Sequence, residues 1–269
     1  MAAGLGATRR RRPILLIAAA LIAFIALAGP LFAPFAPDAT DLASQLQPPS
    51  PKHLLGTDFY GRDVLSRLLY GARATLAVAG SAVAISLVFG SAAGLVAGLM
   101  DGWGAHAWVG LFDLMFAFPP LLLALLVVAV LGPGLPALAA AVGIAGIPTY
   151  GRLARNLTLT LRSAAFVEAA RSIGAGQLDI LKRHLVPNVS QPVFALVPVD
   201  FGRAIISVAA LGYLGLGAAP PQAEWGLMLY EGRGYIANAL WTSAGPGLAI
   251  TLTVLLVTLL GDALAERGK

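Results

Sequence analysis

The chain has 269 residues, 58% of them hydrophobic and 12% charged, with no cysteine. Soluble domains carry about 25% charged residues, so a soluble globular class is excluded, and the missing cysteines exclude disulfides, thiolate metal centres and thiol nucleophiles. The net charge of +5 would suggest nucleic acid in a soluble protein, but in a chain this apolar it is the Lys/Arg excess that orients membrane loops, and no nucleic-acid partner is expected.

The N-terminus, residues 1–12, is basic through Arg9 to Arg12. The uncharged interval 13–37 that follows reads as a first transmembrane helix. It is long for a signal-peptide core and no A-x-A cleavage site interrupts it, so it is expected to be retained. Residues 38–72 read as an extracytoplasmic segment. Within it, residues 56–73 suggest an interfacial helix, with Asp58 capping its start and Val64, Leu65, Leu68 and Leu69 on one apolar face. Uncharged residues 74–100 give a second span. Residues 114–151 form one uncharged interval of 38, about 57 Å as a helix, nearly two bilayer cores. "GPGLP" (Gly132 to Pro136) breaks it, because no straight helix carries that run, so two spans are placed at about 107–131 and 137–155. Two more fall at about 190–212 and 241–262, and a short tail, 266–269, ends the chain. The expected fold is thus an all-α integral membrane protein of six transmembrane helices, with residues 73–265 as its core domain.

Between spans four and five lies a polar stretch, Glu168 to Asn188, "EAARSIGAGQLDILKRHLVPN". Ser163 reads as the N-cap of a helix through Phe166, Glu168 and Ala170. Gly174 and Gly176 interrupt it. Leu178, Leu181 and Leu185 then line one face of a second helix, which Pro187 is expected to end. Lys/Arg bias sets orientation. Arg9–Arg12 together with Arg152, Arg155, Arg162, Arg171, Lys182 and Arg183 make up 10 of the 18 Lys/Arg residues. Four spans separate the two clusters, so both lie on the cytoplasmic side, and both termini with them. The loop 38–73 is balanced at four positive and four negative charges, and the loop 213–240 holds Glu224, Glu231 and Arg233. Both suit the outer side, where Trp225 is a candidate interface anchor.

The spacing Glu168-Ala169-Ala170, Gly174, His184, Pro187 resembles the EAA loop of ABC-transporter permeases, at 163–188. Four further stretches are similar, in order, to motifs of the dipeptide/oligopeptide importer family: "HLLGTDFYGRDVLSRLLYGAR" (His53 to Arg73), "FDLMFAFPPLLLAL" (Phe112 to Leu125), "LGYLGLGAAPPQAEWGLMLYEGRGY" (Leu211 to Tyr235) and "PGLAITLTVLLVTLLGDAL" (Pro246 to Leu264). The resemblance covers about 55–264 and points to the C-type inner-membrane subunit. It implies a type I importer permease fold with a cytoplasmic EAA coupling loop, in which Glu168, Ala169, Ala170, Gly174, Ala175, Leu178, His184 and Pro187 meet an ATPase subunit. It also implies a second permease subunit, two ATP-binding subunits, an extracytoplasmic substrate-binding protein and peptide cargo. Nickel, glutathione and opines are carried by related subunits and remain open. ATP and Mg²⁺ are then bound by partners. This chain has no G-x-x-x-x-G-K-[ST] loop, and "GAGQ" (Gly174 to Gln177) lacks the strand and the Lys-Ser/Thr that such a loop needs.

Two groups of charges call for separate readings. Asp200 and Arg203 share a helix face at i, i+3, as an internal ion pair or as part of the translocation path. Asp58, Arg62 and Asp63 are candidate contacts for the binding protein. His53, His106 and His184 show no ligand spacing, so no metal site is expected. An ion-gradient transporter is the rival reading. It predicts intramembrane acids, which Asp113 and Asp200 supply, and an inverted repeat, which the halves do not show. A membrane enzyme would need a Cys or a Ser-His-Asp set at one depth; none is evident.

Overall fold

A computed structural model of the chain describes residue 20 and residues 22–265, with side chains as far as residue 263. The basic N-terminus, the start of the first expected span and the tail lie outside the described residues. Nine helices of eight residues or more are defined among those described: α1 (Ile22–Phe32), α2 (Val64–Leu99), α3 (Gly102–Ala117), α4 (Pro120–Leu131), α5 (Leu135–Arg162), α6 (Ala165–Ser172), α7 (Gln177–Tyr213), α8 (Trp225–Gly232) and α9 (Trp241–Ala265). Four of them, α2, α5, α7 and α9, are long and apolar enough to cross a membrane, and α3 with α4 make a fifth if counted as one bent span. The all-α membrane architecture is as expected. The count of six differs because α1 is short within the described residues and the third span is not straight.

That bend is the first correction. α3 and α4 meet at 95°. Phe118 is extended at φ −92°, ψ 135°, as a residue before proline prefers, and Pro119-Pro120 offers no backbone N–H to continue α3. The span placed at 107–131 is therefore two helices. α2 also differs from expectation, since it begins at Val64 with no separate interfacial helix before it. Asp63, not Asp58, caps it by accepting the Ser66 N–H and hydroxyl, both at 2.8 Å.

Among the described residues the chain divides into two compact units, the first made of those up to residue 80 with 127–139 and 198–265, the second of residues 81–126 and 140–197. In the second unit α2 and α5 pack through small residues. Gly90, Gly94 and Gly98, four apart, share one face of α2. A methyl at Gly90 would sit 2.5 Å from the Ile147 carbonyl, one at Gly94 2.8 Å from the Ala154 Cβ, and one at Gly98 2.6 Å from the Thr158 Cβ. Small residues at this spacing let membrane helices approach backbone to backbone. α2 carries a π-helical turn, Ser86–Gly90, whose Ser86 hydroxyl reaches the Gly143 carbonyl at 2.7 Å. Tyr150, Ala154, Val189 and Val193 form this unit's buried core.

In the first unit the core is partly polar. Glu224 is fully buried and caps α8, accepting the Gly226 and Leu227 N–H groups at 2.7 and 2.9 Å and the Thr75 hydroxyl at 3.0 Å. Burial pushes its carboxyl above the ordinary glutamate range, against the pull of those three donors. Trp225 is buried as well, its indole N–H donating to the Leu68 carbonyl at 3.0 Å. It packs inside the protein and is not the lipid-interface anchor its place in an outer loop suggested.

Candidate functional site

The polar hairpin is built from α6 and the start of α7. α5 ends at Arg162, which donates to Asp101 at 2.8 Å and to the Gly98 carbonyl at 3.2 Å. The expected Ser163 cap is not formed. Ser163 donates back to the Thr160 carbonyl, and Ala164 occupies the N-cap without a side-chain bond. α6 ends in a Schellman turn: the Gly174 N–H bonds the Arg171 carbonyl at 2.9 Å and the Ala175 N–H bonds the Ala170 carbonyl at 3.0 Å. Gly174 sits at φ +89° with open space around it. Within this chain, glycine is required there by backbone conformation, not by a close neighbour.

Val167, Ile180 and Leu185 are buried together, with Ala175 and Leu181 against them. This small core fixes the two hairpin helices as one body. The Phe166 and His184 rings, centroids 6.0 Å apart, close its side. Pro187 does not end the second helix. α7 continues to Tyr213, and a π-helical turn, Leu181–Leu185, ends two residues before the proline. A wider i→i+5 turn redistributes the carbonyls that a missing proline N–H would leave without a donor. The second hairpin helix and span five are therefore one helix.

Among the EAA-loop residues, Ala170 is buried, Ala175 and His184 are half-buried, and Glu168, Ala169, Gly174, Leu178 and Pro187 are exposed. Glu168 forms no ion pair with the described residues. Elsewhere on the hairpin Phe166, Ile173 and Leu178 are 43, 87 and 68% exposed. A groove of about 600 Å³ lies beside Glu168, lined also by Asp101, Arg162, Arg171, Gln177 and Leu178, among others. The hairpin thus presents one unpaired acid and three large apolar side chains on a rigid tip.

The motif at the start of α2 forms a second constellation, in the first unit. Asp58 accepts Arg62 Nε at 2.6 Å and lies 3.5 Å from Arg67 Nε. Glu231 accepts Nη2 of both Arg62 and Arg67 at 2.8 Å. Asp63 faces His53 Nδ1 at 2.9 Å. Arg67 also donates to the Pro37 and Pro221 carbonyls at 3.1 and 3.2 Å. Gly56 and Gly61 turn at φ +73° and +72° to make room. Asp58, Arg62 and Asp63, expected to face a partner, are 9, 2 and 2% exposed. Their charges are satisfied internally, so that expectation is corrected: the motif is a scaffold holding residues 35–67 against α8. Phe59 and Tyr60 are among the residues it leaves outward, with Phe59 stacked on Tyr235 at 5.0 Å. Sequence reasoning missed Glu231 as the common partner of two arginines; it is one of only two acids between 213 and 240. Asp200 and Arg203 lie on α7, the first half-buried and the second exposed.

The comparisons with known proteins agree with this layout. Residues 90–267 match the family model for the binding-protein-dependent transport system inner membrane component. The chain is 41% identical over 242 residues to a dipeptide transport system permease protein from Alkalihalophilus pseudofirmus, covering 90% of this chain and 80% of the relative. It is 42% identical over 218 residues to a glutathione transport system permease protein from Pectobacterium atrosepticum, covering 81% and 72%. Its fold is similar to a chain in an inward-facing MetNI methionine ABC transporter structure, with a TM-score of 0.62 at 18% identity over 76% of this chain and 96% of that one. With a family model matched over well more than half its length, the chain belongs to the binding-protein-dependent transport system inner membrane components, and is a multi-pass permease subunit of an ABC importer.

Proposed function

We propose that this permease carries di- or oligopeptides and is driven by two separate ATP-binding subunits that grip the α6–α7 hairpin. One observation carries the coupling role. Glu168, Phe166, Ile173 and Leu178 stand exposed on a rigid tip in a charge-rich loop that no lipid would cover. An exposed apolar patch rimmed by charge marks a protein contact. ATP binding and hydrolysis, with Mg²⁺, then belong to the partners, and this chain contributes no catalysis. The basic segment 152–183 supports a cytoplasmic hairpin, and hence cytoplasmic termini. Resemblance to the C-type subunits supports a heterodimer with a second permease.

Peptide cargo is supported by relatives described as dipeptide and glutathione permeases; both names specify short peptides. A substrate-binding protein is expected on the outer side, where Phe59, Tyr60 and Tyr235 form the available rim. The test is uptake of a labelled dipeptide by the reconstituted complex. Vanadate-sensitive, binding-protein-dependent uptake is expected. Uptake that follows an ion gradient without ATP would overturn the reading. Glu168→Lys is expected to leave membrane insertion intact and uncouple ATP hydrolysis from uptake; unchanged uptake would remove Glu168 from the coupling face.

A further inference from the structure

The ion-pair network around the start of α2 lines a pocket of about 400 Å³ in the first unit. Part of its wall is buried: Val64, Arg67, Met228 and Thr242 are each at most 4% exposed. Asp58, Arg62 and Glu231 line it as well. These charges are bonded to one another, so the wall is held in place before anything enters, and little ordering is left for an occupant to impose. Other lining residues are open to solvent. Phe59, Tyr60 and Tyr230 are 40, 44 and 37% exposed.

Five charged side chains line this pocket, and the four of the network cancel. The fifth, Arg233, is the first residue after α8 and is exposed. Its guanidinium lies over the Tyr230 ring at 3.7 Å and forms no ion pair among the described residues. A guanidinium held on an aromatic face keeps its in-plane N–H groups free, and their fork matches a carboxylate. The pocket therefore offers one uncompensated positive charge beside a preformed recess with aromatic sides. Tyrosine and arginine around such a recess are the composition of an interface hot spot. The apolar rim also continues past the pocket into Ile236, which is 50% exposed. A small solute in the recess would leave that rim uncovered, whereas a protein surface would cover it.

We propose that this pocket is a docking socket for the substrate-binding protein, which places an acidic side chain on Arg233 and an apolar side chain in the recess. The proposal rests on the reading above that the loops 38–73 and 213–240 face outward and meet that protein. Charge complementarity selects the acid: Arg233 is the one lining charge left without a partner among the described residues. A charge at the edge of an interface acts on the association rate and its salt dependence, and a pair that becomes covered on docking also slows dissociation.

The test uses the complete importer in lipid nanodiscs and its purified binding protein. Arg233→Glu should weaken their binding by about tenfold or more, the scale of one hot-spot residue. It should also flatten the loss of affinity with added salt, because the attractive pair is gone. Arg233→Lys keeps the charge without the fork and should fall between. Parental affinity and salt dependence in Arg233→Glu would overturn the proposal. The side is read separately, in a chain that has no cysteine of its own. Gly234 lines the pocket, and a side chain there meets open space. In right-side-out vesicles Gly234→Cys should react with a membrane-impermeant methanethiosulfonate, and saturating binding protein should slow that reaction. Reaction without protection would overturn the socket and leave the orientation standing, whereas reaction from the cytoplasmic side alone would refute both. Alanylalanine binding without the binding protein, abolished in Arg233→Glu while protein affinity stays parental, would assign the recess to peptide and overturn docking there. A parent that binds no binding protein at all would refute the partner reading itself.

Discussion

Replacing Glu231 by glutamine keeps the side chain's shape and removes its charge. Oε2 of Glu231 accepts from Arg62 and Arg67, each at 2.8 Å, and those side chains are 3 and 1% exposed. After the change two buried guanidinium groups share one carboxylate, Asp58, at 2.6 and 3.5 Å. Removing one partner of a buried ion pair costs about 3–5 kcal/mol, because the remaining charge stays desolvated. Two stranded arginines place Glu231→Gln toward the upper end. The internal comparison is Asp179→Asn. Asp179 faces Arg183 at 3.6 Å with the side chains 60 and 78% exposed, and such a pair contributes about 0.5 kcal/mol or less. The assay is thermal denaturation of the purified permease in detergent, both variants against the parent. Arg67→Met added to Glu231→Gln should recover part of the loss, since it removes one stranded charge. If Glu231→Gln destabilised no more than Asp179→Asn, the buried network would not be what anchors residues 35–67 to α8.

Three further outcomes follow from the geometry. Gly174→Ala places a Cβ at φ +89° and should cost about 1–2 kcal/mol, seen as a lower melting temperature with uptake retained, whereas Gly174→Trp should also block ATPase-coupled uptake. Gly94→Leu drives a side chain into Ala154 and the α5 backbone; overpacking of about 1–3 kcal/mol or more should appear as reduced yield of folded permease, with Gly94→Ala intermediate. Glu224 has a raised folded-state pKa, so its own contribution to stability should be full below the ordinary glutamate value and be lost as pH rises through the raised one. Glu224→Gln should flatten that slope in denaturation curves, and an unchanged slope would remove Glu224 as its source.

Much of the architecture was legible in the sequence, for physical reasons. Uncharged intervals located the spans because hydrocarbon cannot solvate charge. The glycine at 174 marked the hairpin's break because the Schellman turn needs a positive φ there. Misreadings came where one local rule was overridden. Pro187 looks like a helix end, yet the π-helical turn before it lets α7 continue. Pro119-Pro120 lay inside an apolar run that reads as one span, and the run's length outweighed the double proline. Asp58, Arg62 and Asp63 belong to a recognisable motif, but a motif says which residues recur and not which way they point. Glu231, the partner of Arg62 and Arg67, is 169 and 164 residues away from them along the chain, beyond the reach of any periodicity. Trp225 failed as an anchor for the same reason: its acceptor, the Leu68 carbonyl, is 157 residues distant.

The buried network also has an electrical consequence. Two arginines and two acids, Arg62, Arg67, Asp58 and Glu231, sum to zero formal charge. A membrane potential does about 2.3 kcal/mol of work per elementary charge per 100 mV, but only on net charge that is displaced. If the segment that carries these four groups shifts as one piece during a transport cycle, the voltage across the membrane neither helps nor opposes it, and the rate of that movement should be the same in energised and de-energised membranes.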